Sequence, residues 1–71
     1  MDKALAERVV ASIEQCISGL LGTLPLVEEH ASAEEYRVFK RAIAKVVNTI
    51  DIEVIDRVAK DYPDLKPEAR I

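Results

Sequence analysis

The chain has few of the residues that interrupt helices or staple small folds together. Its 71 residues include one cysteine, two glycines, three prolines and no tryptophan. A single cysteine excludes an intrachain disulfide, and with one histidine beside it the usual structural zinc sets cannot be assembled in one chain. A chain this short buries only about 60% of the surface it exposes when unfolded. It normally needs a disulfide, a metal or a partner chain. With the first two excluded, a partner chain is the remaining staple.

Other absences narrow the setting. The first residues carry no basic cluster, and Asp2, Glu7 and Glu14 interrupt the early apolar run. This reads as neither a signal peptide nor a membrane span. A lone thiol reads as a reduced intracellular residue, so the expected location is the cytoplasm, with no membrane partner. A net charge of −3 disfavours nucleic acid as the main ligand. With 49% hydrophobic and 32% charged residues, the chain is outside the disordered regime.

What is present is helical periodicity. Asp2 is an N-cap candidate ahead of Leu5, Val9, Val10, Ile13, Cys16, Ile17, Leu20, Leu21 and Leu24. At about 100° per residue these fill an arc of roughly 160°, wide enough to touch two neighbours. Cys16 lies within that arc and reads as a packing residue. Gly22 is a plausible stop, and Pro25-Leu26-Val27-Glu28-Glu29 a short extension kinked at Pro25. Ser32-Ala33-Glu34-Glu35 has the form of a capping box that opens a second helix from about Ala33 to Asp61. Its main face is Tyr36, Phe39, Ile43, Val46, Val47, Ile50, Val54 and Val58. Glu53 with Arg57 and Asp56 with Lys60 are spaced as i,i+4 ion pairs. The β-branched run Val46 to Ile55 is the one stretch where a break is expected, near Asn48–Asp51.

The expected fold is all-α: a helical hairpin over residues 1–62, pairing as a homodimeric four-helix bundle, with residues 63–71 as an extended tail. On a uniform helix Ile52, Ile55, Ala59 and Tyr62 form a second stripe about 100° from the main face. One seam cannot bury both stripes. Together with Ile13 and Ile17 these residues are the expected dimer interface.

No pattern commits the chain to a chemistry or a cofactor. Glu28, Glu29, His30, Glu34 and Glu35 crowd the turn, which allows a metal-dependent hydrolase as an alternative, though without Glu-x-x-His or His-x-x-x-His spacing. Glu53-x-x-Asp56 resembles half of the carboxylate pattern of all-α nucleotide pyrophosphohydrolases, and its Glu-x-x-Glu half has no counterpart. Arg37, Lys40, Arg41 and Lys45 form a basic stripe suited to an acidic protein partner and, less well, to nucleic acid. The expected function is a non-enzymatic interaction or regulatory protein.

Overall fold

A computed structural model of the chain describes residues 1–67. Helices α1 (Lys3–Leu21) and α2 (Thr23–His30) form one arm. The other arm is α3 (Ala33–Ile50), a π-helical turn (Asp51–Ile55) and α4 (Asp56–Asp61), closed by a 3₁₀ turn at Pro63–Leu65. No strand occurs among the described residues. The arms make an antiparallel hairpin measuring 46 × 16 × 16 Å.

Local chemistry sets the boundaries. The Asp2 carboxylate accepts from the Leu5 N–H at 2.8 Å, satisfying one of the orphan donors of the first turn. Ser32 Oγ accepts from the Glu35 N–H at 3.1 Å, while Glu35 takes a 3.2 Å bond from the Ser32 hydroxyl instead of reaching the backbone. Gly22 does not stop the first arm. It keeps right-handed helical angles (φ −64°, ψ −16°), and its N–H still donates to the Ser18 carbonyl at 2.9 Å. Thr23 donates its hydroxyl to Leu20 O at 2.6 Å. Pro25 then falls in the first turn of α2, where its missing N–H costs little. The arms consequently match in length, at about 42–44 Å each for a rise of 1.5 Å per residue.

Two apolar clusters lie along the seam. One contains Ala6, Val10, Ile55 and Val58, with Tyr62 and Leu65 packed on it. The other contains Ile17, Ile43 and Val47, with Leu20, Leu21, Leu24, Phe39 and Ile50 around it. Ile13 touches both.

Between the clusters the second arm changes pitch. The Asp56 N–H donates to the Asp51 carbonyl, five residues back, so this turn holds one residue more than an α-turn. One turn earlier the Thr49 hydroxyl donates to Lys45 O at 2.9 Å, a back-bond that bends helices. The extra residue rotates everything downstream by about 100°. The seam accordingly reads Ile43, Val47, Ile50, Ile55, Val58, Tyr62, with steps of 4-3-5-3-4.

That rotation corrects the expected second stripe. Ile55 is 2% exposed and sits in the core of its own chain. Ala59 and Tyr62 are half-buried, and the Tyr62 hydroxyl donates to Met1 O at 2.9 Å. Only Ile52 stays outside, 55% exposed. The expected ion pairs change with it: Arg57 Nε donates to the Glu53 carbonyl at 3.3 Å, and Asp56 pairs with Lys66 at 3.0 Å. Residues 63–65 are a turn folded onto the hairpin instead of an extended tail, held by Leu65 and by a 2.7 Å Lys3–Asp64 ion pair. The last part of the expected tail, 68–71, lies outside the described residues.

Candidate functional site: an uncovered apolar face

Only seven hydrophobic side chains are buried among the described residues. The chain exposes 5398 Å². A globular monomer of 7.9 kDa exposes about 4,400 Å². A rod of two helices, 46 × 16 × 16 Å, has one seam and two open sides.

The sides differ. On α1, Ala6, Val10 and Ile17 point at the partner arm, and Leu5, Val9, Cys16 and Leu20 lie about 60–120° to one side of them. This flank continues a stripe Leu5, Val9, Ser12, Cys16, Leu20, Thr23, Val27, with steps of 4-3-4-4-3-4 and no charged residue. On α3, Ile43 and Val47 point back across the seam, with Phe39 and Val46 turned about 60–80° from them. Because the arms are antiparallel, these two flanks fall on the same side of the hairpin. Leu20 and Phe39 already pack on the Ile17–Ile43–Val47 cluster. Leu5 is 48% and Val46 46% exposed.

The opposite side carries a groove of about 620 Å³. Leu21, Leu24, Ala44 and Ile52 line it, but so do Lys40, Asp51, Asp56 and Lys66. None of the flank residues Leu5, Val9, Cys16, Leu20, Phe39 or Val46 borders it.

Of the interface residues expected from sequence, Ile17 is 1% exposed, and it and Ile55 have no area to offer a second chain. Ile13 is half-buried between the two clusters, and Ile52 borders the charged groove. Cys16, expected in the core, is exposed on the open flank. The arc on α1 is wider than the seam, and Cys16 lies on the part the other arm leaves uncovered. The sequence carries the signal for this face: the uncharged stripe from Leu5 to Val27 has heptad-like spacing.

The basic stripe is solvated. Arg37 Nη2 donates to Glu34 Oε2 at 2.7 Å, and Lys40 Nζ lies 6.0 Å from the Tyr36 ring centroid. Among the described residues no acidic side chain pairs with Lys40, Arg41 or Lys45. At the turn, His30 Nε2 is 3.9 Å from Glu29 Oε2, with both side chains exposed. Glu34 is engaged with Arg37 and Glu35 with Ser32. Among the described residues no three His, Cys, Asp or Glu side chains are grouped so as to hold a metal ion.

Lys3–His30, taken as one helix of 28 residues, has an 18-residue window of mean hydropathy 1.4 and is long and apolar enough, by length and composition, to cross a bilayer. In the hairpin its Ala6, Val10 and Ile17 are covered by the second arm, while most of the window is not buried.

The fold defines a class, the antiparallel two-helix hairpin with one apolar side uncovered. The chain matches no family model, no curated protein and no solved structure.

Proposed function

We propose that this chain is a small non-enzymatic interaction protein of the cytoplasm that acts as a homodimer, two hairpins joining into a four-helix bundle. The observation that carries the reading is the surface excess, 5398 Å² against about 4,400 Å² for a monomer of this mass. The remainder of about 1,000 Å² per chain is close to the roughly 800 Å² each partner buries in a standard interface. Light scattering at micromolar concentration tests it. The expected mass is twice 7.9 kDa, and a mass of 7.9 kDa throughout would overturn the proposal.

A partner for the dimer is argued from Arg37, Lys40, Arg41 and Lys45. Among the described residues the last three are exposed and make no ion pair with an acidic side chain, which suits an acidic polypeptide. Polyglutamate should bind in a salt-sensitive manner, and Arg41→Glu with Lys45→Glu should abolish it. Binding of duplex DNA in preference to polyglutamate would replace this partner class with nucleic acid.

A further inference from the structure

We infer that the face carrying Leu5, Val9, Cys16, Leu20, Phe39 and Val46 is where the second copy of this chain seats. The inference rests on the homodimer reading and adds which of the two open sides is used.

Three observations select this side. It has no charged residue along its α1 stripe between Leu5 and Val27, whereas the groove opposite includes Lys40, Asp51, Asp56 and Lys66. Interface centres are depleted of charge because a charge buried there loses its water. The face is also continuous with an existing core, since Leu20 and Phe39 already rest on Ile17, Ile43 and Val47. A copy laid on it extends that cluster into a four-helix core. Finally, small residues break the apolar stripe, Ser12 and Thr23 on the first arm and Ala42 on the second, which lets helices approach closely.

A lipid surface is the competing occupant for an uncharged helical face. Helices that lie on membranes flank their apolar stripe with Lys and Arg. Here Arg8 is the one basic residue of α1 beside the stripe, Glu7 and Glu14 lie across the seam from it, and the chain carries −3 overall, which opposes an anionic bilayer.

Cys16 provides the test. It lies near the middle of the Lys3–His30 arm, and its thiol is exposed in the single hairpin. A two-fold axis parallel to the arms brings their centres to the same level, and an axis perpendicular to them does so where it crosses near the arm centre; either places Cys16 within the interface. If this face is the interface, Cys16 is covered in the dimer and open in the monomer. Its reaction with dithionitrobenzoate is therefore measured against protein concentration, with light scattering on the same samples.

The expected result is a dimer whose thiol reacts at least about tenfold more slowly than that of diluted, dissociated protein, following the fraction paired. Val46→Glu should give a helical monomer with a fast thiol, because Val46 is half-exposed in the hairpin and glutamate there leaves the intrachain core intact. Ile52→Glu, on the groove side, should remain dimeric with a slow thiol. A dimer whose thiol stays fast, or one that survives Val46→Glu but not Ile52→Glu, overturns the face while keeping the dimer. A monomer at all concentrations overturns both. A monomer whose thiol becomes protected by neutral phosphatidylcholine vesicles assigns the face to lipid instead.

Discussion

Ile52 and Ile55 lie three positions apart on the same arm, and the chain uses them in opposite ways. Ile55 fills the cluster of Ala6, Val10 and Val58, while Ile52 stands more than half in solvent. Truncating Ile55 to alanine removes buried methyl groups and leaves a cavity, at a cost of about 2–5 kcal/mol, whereas Ile52→Ala should cost under about 1 kcal/mol. Urea denaturation of the two variants at one protein concentration reads the difference. Lys3 and Asp64 make a second residue-level prediction. The hydrogen bond from Lys3, first among the causes, holds the Asp64 carboxyl below its ordinary 3.8, and the same bond raises Lys3 above its ordinary 10.5. Asp64's contribution is therefore present above pH 3.8 and lost as pH falls through its lowered value. Lys3's contribution is present below pH 10.5 and lost as pH rises through its raised value. Both groups are exposed, so the effect is local: helical Cα shifts of residues 3–6 should hold between those limits and decay beyond them. In Asp64→Asn they should be diminished across the whole range.

The π turn explains what periodicity does and does not reveal about the second arm. Ser32 with Glu35, the start at Ala33 and the end at Asp61 all follow from local chemistry and are legible in the sequence. The downstream seam is not, because a wheel drawn at one pitch carries every later residue to the wrong angle once a turn holds an extra residue. Hence Ile55 and Tyr62 look like a separate stripe when they continue the line of Ile43, Val47 and Ile50. The β-branched run Val46–Ile55 signals a disturbance without giving its form. Deleting Glu53 tests the account. It removes the extra residue and turns steps of 4-3-5-3-4 into 4-3-4-3-4, so the variant should keep its helix content and melt at or above the parent temperature. Deleting Arg41, within regular α3, should throw the following seam out of phase and collapse the melting transition. A Glu53 deletion that is as damaging as the Arg41 deletion would refute this reading of the turn.

For the molecule as a whole, composition and length point to a small core, and among the described residues seven hydrophobic side chains are buried. Composition and length do not indicate which apolar surface stays uncovered. That depends on which part of the wide α1 arc the second arm covers, and the arm's phase is set partly by the π turn. If pairing supplies the missing burial, folding and association are linked, and the melting temperature should rise with concentration. A tenfold dilution that leaves it unchanged would show that the single hairpin is sufficient.

The hairpin's connection implies an order of opening. Only Ala31 and Ser32 separate the arms at one end, so contacts there close the shortest loops and cost the least chain entropy. At the other end Met1 and Lys3 meet Tyr62 and Asp64 across almost the full length of the chain, through one hydroxyl and one exposed ion pair. The rod should therefore open like a zip from its termini, with amide protection rising from α4 and the first turn of α1 toward Ile17 and Ile43. The Met1 carbonyl, caught by the Tyr62 hydroxyl, should then be the last contact to form and the first to be lost.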